Sequence, residues 1–194
     1  MKRGKYKVYL FRHGQTTYNR DGRFTGFQDA KLTSEGKKHA QTITKKLKNK
    51  KFQVAIHTRL SRSKDTLRPV LKFHPECKLI IQDDRMIERS YGTLSGKLHS
   101  TIVKKYGQAQ YDIWHRGYYT KDRPPKGECF ADVEKRVKSF IKDLKKFMKK
   151  NKVNVAISAH GNSIRLFRKI MEKASIKNTV SWFIPYDKVF EYTI

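Results

Sequence analysis

Apolar and polar positions follow two different periods along the chain, and the switches between them mark out the elements. YKVYLF at 6–11 is short and rich in aromatic and β-branched residues, which predicts a buried strand. VAIHT at 54–58, KLIIQ at 78–82 and VNVAIS at 153–158 predict three more strands. TVSWFIP at 179–185 and KVFEYTI at 188–194 read as strands near the end of the sequence. Between these runs the period is helical. Ala40, Ile43 and Leu47 fall on one face behind a Thr33 or Ser34 cap. A second helix is expected over 61–73, with Pro69 placed to kink or end it. The clearest helix covers about 131–150, where Val133, Val137, Phe140, Ile141, Leu144 and Met148 share a face. Another starts near Asn162. Residues 84–128 are irregular and punctuated by glycines, with short helices expected around 100–106 and 110–116. Strands alternating with helices predict an α/β fold, a three-layer sandwich with a mainly parallel central sheet flanked by helices.

The 194 residues fit one domain, 1–194, with no tandem repeat and no linker. No apolar run approaches the ~20 residues that span a bilayer. The N-terminus has neither the apolar run nor the small-residue cleavage site of a secretion signal. The expected place is therefore the cytoplasm, without a membrane partner. Cys77 and Cys129 stand alone at spacings that fit no metal site, so two free thiols are expected. Forty-five Lys and Arg against seventeen Asp and Glu give a formal charge of +28, which favours anionic ligands. The lysines are spread over helix faces, and no nucleic-acid-binding motif accompanies them. Nucleic acid is expected at most as a nonspecific partner, lost as salt rises.

Candidate chemistry sits at two strand ends. VYLFRHG places Arg12, His13 and Gly14 after one apolar strand, and VAISAHG places His160 and Gly161 after another. In open α/β sheets ligands bind beyond the carboxyl ends of the strands, so the two histidines can meet in one site. Arg12 supplies a planar fork suited to phosphate oxygens. A nucleophilic histidine must be unprotonated at its attacking nitrogen, and nearby cations lower its pKa. Arg12, Arg62 and a cationic or hydrogen-donating His160 would do this while holding phosphate. Phosphoryl transfer then needs an acid to protonate the leaving oxygen.

At these residues the chain resembles the histidine phosphatase superfamily, and within it the cofactor-dependent phosphoglycerate mutases. RHGQTTYN at 12–19 and RFTG at 23–26 look like the phosphohistidine signature. TRLSRSKDT at 58–66, ERSYGTLSG at 88–96, KYG at 105–107 with Trp114, and AHGNSIR at 159–165 continue the match in order. The resemblance implies that His13 takes the phosphoryl group while Arg12, Arg62 and His160 hold its oxygens. Glu88 would donate and accept the proton. Asn19 would hydrogen-bond phosphate, with the Thr25 and Gly26 backbone near the substrate. Arg89, Tyr91 and Arg116 would contact the substrate's phosphate or carboxylate, and Gly161 and Asn162 would complete the floor. No metal is implied. A mutase would be primed by 2,3-bisphosphoglycerate and act on a small anionic phosphorylated metabolite. A homo-oligomer stays open.

The chain departs from the mutase pattern in places. His99 aligns with the family's substrate-binding lysine, with Lys97 two residues earlier as a candidate to compensate. His115 and Arg116 stand where the family has an arginine pair, and a histidine can lose its charge near neutral pH. Residues 117–128 are shorter than the mutase insertion, and a closing tail after the last strand is not expected. Two readings are therefore carried forward. One is a phosphoglycerate mutase of glycolysis and gluconeogenesis. The other is a phosphatase using the same residues, with water attacking the phosphohistidine.

Overall fold

A computed structural model describes residues 5–194. The expectation that the N-terminus carries no signal segment falls partly on residues 1–4, which lie outside the described residues. Five strands form one sheet in the order β3-β2-β4-β1-β5. β1 (Lys7–Arg12), β2 (Val54–His57), β3 (Leu79–Gln82) and β4 (Val155–Ala159) run parallel. β5 (Val189–Thr193) pairs antiparallel with β1 at the edge. The expected three-layer α/β architecture is the observed one.

Each sheet face carries its own core, because successive side chains in a strand point to opposite faces. Val8, Leu10, Val54, Ile56, Val155 and Ile157 pack against α6 (Phe130–Asn151) and α7 (Gly161–Glu172). Tyr9, Phe11, Ala55 and Ala156 pack on the other side, against α2 (Ser34–Leu47) and α3 (Ser61–Leu71). The stripe read from α6 is the buried one: Val133, Val137, Phe140, Ile141, Leu144 and Met148 all face the core. Truncating Phe140 to alanine there would cost ~3–5 kcal/mol.

Caps and breakers behave mostly as their chemistry dictates. Thr33 caps α2, its hydroxyl accepting the Gly36 N–H at 3.0 Å. Pro69 does not end α3, which runs two residues further to Leu71. The short α4 (His99–Tyr106) and α5 (Gln108–Arg116) meet at Gly107, whose φ of +82° turns the chain between them. The expected strand over 179–185 is not formed. Ser175 instead caps a helix, α8 (Ile176–Ser181), by accepting the Asn178 N–H, and Thr179 bonds back to the Ser175 carbonyl. Residues 182–185 then run on without regular structure. β-branched and aromatic residues gave this segment its strand signal, but its carbonyls are bound by arginine side chains rather than by a neighbouring strand.

Candidate active site

The register of the two central strands builds the site. β1 and β4 pair Arg12 with Ala159, so the next residues, His13 and His160, emerge side by side. The His13 N–H bonds the Ala159 carbonyl at 3.0 Å and fixes that placement. The ring centroids lie 4.9 Å apart. Gly14 follows because a Cβ there would stand 2.1 Å from the Gly36 carbonyl oxygen. The close backbone approach it permits is to the start of α2.

His13 is almost closed off, at 2 % exposure. Its Nδ1 lies 2.7 Å from the Gly14 carbonyl. A carbonyl only accepts, so Nδ1 carries the proton and Nε2 keeps the lone pair. Burial first, then the Arg62 and Arg12 charges, hold the His13 pKa well below its ordinary value. A neutral imidazole with a free Nε2 lone pair has the form a nucleophile needs. His160 is buried and its pKa is lowered in the same way, by burial and then by Arg62 and His13. The sequence allowed a cationic or a donating His160, and the structure favours a neutral one.

Arg62 is fully buried. Its Nη1 and Nη2 donate to the Gln28 and Gly26 carbonyls at 2.7 and 2.8 Å. Burial lowers its pKa to about 10, which leaves it charged at neutral pH. Arg12 donates through Nη1 to the Ile184 carbonyl at 2.9 Å and lies over the Tyr186 ring. Among the described residues, the buried side-chain nitrogens without a partner are Arg12 Nε, Arg62 Nε, His74 Nε2, Arg89 Nε and His160 Nδ1. Three of the five belong to this one cluster. Convergent unsatisfied donors among positive charges suit an anion.

Glu88 completes the cluster, and one polar atom from each of His13, Glu88 and His160 lies within 4.8 Å of the other two. Its Oε1 accepts the Arg89 N–H at 2.8 Å and the Asn162 N–H at 3.1 Å. The second bond seats the carboxyl at the N-terminus of α7, where a negative charge is favoured. The other oxygen, Oε2, lies close to Gly161. Arg136 of α6 anchors this segment by donating to the carbonyls of Arg85, Ile87 and Glu88. Two histidines and a carboxyl are also metal-ligand types, but the guanidinium charges of Arg12 and Arg62 beside them repel a cation.

A cavity of about 230 Å³ opens onto Glu88 and Arg12, and Asn19, Thr25, Gly26, Tyr91, His99, His115, Arg116, Gly161 and Asn162 all line it. The Asn19 carbonyl oxygen accepts the Thr16 N–H and hydroxyl, which leaves its NH₂ as a donor. Asn162 bridges the Tyr91 hydroxyl and Arg165. His99 rests against Phe24, with centroids 4.3 Å apart. Burial and then the Arg116 charge push His115 down to about 3, and the same two causes lower His99. Neither histidine replaces a cation at neutral pH. Lys97 does not compensate, because it is exposed and outside the cavity lining.

Arg89 is the expectation that the structure overturns. It is fully buried and lies outside the lining. Nη2 donates to the Trp114 and His115 carbonyls, and Nη1 to Gly117. Free carbonyls at the end of α5 draw the guanidinium there. It positions His115 and Arg116 from behind.

Sequence reasoning missed Arg165, Phe183 and Tyr186, which line the same cavity. Arg165 lies within the AHGNSIR block, one helical turn after Asn162, and that spacing was its available signal. Three cavity arginines bond alternate carbonyls of one segment: Arg116 to Val180, Arg165 to Trp182 and Arg12 to Ile184. That alternation was hidden inside the segment read as a strand.

Comparison with known proteins agrees with this geometry. The model of the histidine phosphatase superfamily (branch 1) matches residues 8–191. The chain belongs to the histidine phosphatase superfamily. A 2,3-bisphosphoglycerate-dependent phosphoglycerate mutase of Mesorhizobium japonicum is 36 % identical over 162 residues, covering 81 % of this chain and 77 % of that protein. Among solved structures, Bacillus stearothermophilus YhfR superposes with a TM-score of 0.82 at 23 % identity, covering 96 % of this chain and 90 % of its own. A putative alpha-ribazole-5'-P phosphatase from Escherichia coli superposes at 0.77 and 23 % identity, covering 90 % and 83 %. These two likenesses show the superfamily fold. Among the described residues, no helix is long and apolar enough to cross a membrane.

Proposed function

We propose that this member of the superfamily is a phosphoglycerate mutase, interconverting 3- and 2-phosphoglycerate after priming by 2,3-bisphosphoglycerate. The observation that carries the reading is a second pair of cations in the cavity beside the phosphoryl-binding cluster. Arg116 and Arg165 both line it, and their charges are close enough for Arg116 to help burial lower Arg165 to about 10. Two guanidiniums held near each other in one small cavity call for a second anionic group on the ligand. A phosphoglycerate carries such a pair, a phosphate and a carboxylate, on three carbons.

The proposed steps use the groups that this geometry gathers. Nε2 of His13 attacks the phosphorus of the bisphosphate. Arg12, Arg62 and His160 stabilise the charge on the transferring group. Glu88 gives its proton to the leaving oxygen, and a phosphoglycerate departs. A phosphoglycerate acceptor then offers its free hydroxyl to the phosphohistidine. Glu88 takes that proton, the P–N bond breaks and the bisphosphate reforms. Transfer of its other phosphoryl group to His13 releases the isomer. These substrates are cytoplasmic metabolites, which is the place we assign to the protein.

One observation favours the phosphatase reading instead. His115 is neutral, so the cavity has one cation fewer than an arginine pair would supply. Water would then discharge the phosphohistidine with Glu88 as the base. A coupled assay for 2-phosphoglycerate separates the two readings. Mutase turnover rises with 2,3-bisphosphoglycerate at little phosphate release. Steady release of inorganic phosphate, without dependence on the bisphosphate, would replace the mutase by the phosphatase.

A further inference from the structure

His160 lies between two neighbours of different kinds, and only one is part of the chemistry above. Thr58 follows β2, which pairs with β4 through Ile56 and Ile157. The adjoining strand ends therefore bring Thr58 up to His160, with Oγ1 and Nε2 2.8 Å apart. Both residues are fully buried. The Thr58 backbone is held in turn, since its N–H bonds the Ser63 hydroxyl, which donates to the Ser158 carbonyl. The position of Oγ1 is fixed from both sides of the sheet end.

The direction of that hydrogen bond decides which nitrogen of His160 carries the proton. Among the described residues, Nε2 is the only partner of Thr58 Oγ1. Were Nε2 protonated, it would donate to Oγ1 and leave the buried hydroxyl hydrogen with no acceptor, a costly arrangement. With the hydroxyl donating, Nε2 accepts and the proton must sit on Nδ1. Among the described residues Nδ1 is the buried nitrogen of His160 without a hydrogen-bond partner, and the Ser163 N–H that faces the ring makes no cap hydrogen bond to it. Burial and the arginine charges keep the ring neutral, so the choice of tautomer decides whether Nδ1 offers a hydrogen or a lone pair.

We propose that Thr58 is a positioning residue that selects the Nδ1–H tautomer of His160, making a neutral imidazole a hydrogen-bond donor to the transferring phosphoryl group. A lone pair at Nδ1 would repel a phosphoryl oxygen, whereas an N–H stabilises it. The inference rests on the reading of this cluster as a phosphoryl-transfer site.

The test uses the full chain labelled with ¹⁵N-histidine, with the wild type beside Thr58→Val and Thr58→Ser. Long-range ¹H–¹⁵N spectra report which ring nitrogen is protonated, and the resonance lost in His160→Gln assigns the residue. Orthovanadate affinity reports oxyanion binding without turnover. The wild type and Thr58→Ser are expected to show His160 protonated at Nδ1. Thr58→Val, similar in shape but without the hydroxyl, is expected to lose that preference and to bind vanadate ~10–100-fold more weakly, the scale of a hydrogen bond to a charged group. A wild-type proton on Nε2 would overturn the proposal. So would unchanged tautomer and vanadate affinity in Thr58→Val. If that variant does not fold, the wild-type tautomer decides alone. The tautomer is read without catalysis, so a protein that forms no phosphoenzyme would count against the phosphoryl-transfer reading and still test Thr58.

Discussion

His13 and His160 face each other with ring centroids 4.9 Å apart and planes inclined at 56°. Their pairing follows from one register, Arg12 against Ala159, in the middle of a parallel sheet. Both rings are buried against guanidinium charge, and both are held neutral. In the mechanism proposed above, the nucleophile and a donor to its phosphoryl group share one physical cause, burial beside arginines.

Removing the nucleophile should stop the chemistry. His13→Ala is expected to give no acid-labile phosphoenzyme on incubation with labelled 2,3-bisphosphoglycerate, and no turnover. Retained labelling would move the phosphoryl group to another residue.

Glu88 has one oxygen bound by two backbone N–H groups, and the mechanism proposed above assigns the moving proton to the other. Glu88→Gln keeps the shape and cannot transfer that proton. Its kcat should fall ~100-fold or more, the scale of general acid catalysis. A normal kcat would remove Glu88 from the role.

Arg165 should matter to one class of substrate. Arg165→Met is expected to raise KM for phosphoglycerate ~10–100-fold through loss of a charged hydrogen bond. Hydrolysis of p-nitrophenyl phosphate, which carries no second anion, should change little. Equal losses on both substrates would show that Arg165 serves the phosphoryl site or the fold.

Stability should fall on the acid side. His13 and His160 have folded pKa values well below 6.5, and His115 lies at about 3. The unfolded chain therefore binds more protons as pH drops below 6.5. The sign is that stability is complete above 6.5 and is lost as pH falls towards 3, by up to ~1.4 kcal/mol per pH unit for each group. Urea unfolding midpoints measured between pH 8 and 4 check this. Midpoints that stay level over that range would mean that the histidines titrate normally in the fold.

Most strands and the long helices were legible because their apolar spacing is a local property. Val133 to Met148 can bury only one face of a helix, and VAISA can only be a buried strand beside others. The helix expected over 61–73 forms as Ser61–Leu71, and Pro69 stands inside it rather than ending it. Near the end of a helix a missing N–H and a single crowded carbonyl disturb little of the ladder. The segment 179–185 misled for a different reason. Its residues favour extended backbone, but the Ser175 cap winds the first part into α8 and arginine side chains bind the carbonyls that follow.

The sequence alone determined the chemistry available: two histidines at strand ends, an arginine beside one of them, and the ordered blocks that mark the superfamily. Those are properties of residue type and spacing, which need no third dimension. The tertiary structure decided the roles of individual arginines and histidines. Arg89 and Arg165 both follow motif residues, yet one bonds the end of a helix and the other lines the cavity. In sequence His115 could be charged or neutral near pH 7, and its pocket makes it neutral. Charge and donor direction depend on burial and on the partners a side chain meets, and those are fixed only when distant segments pack together.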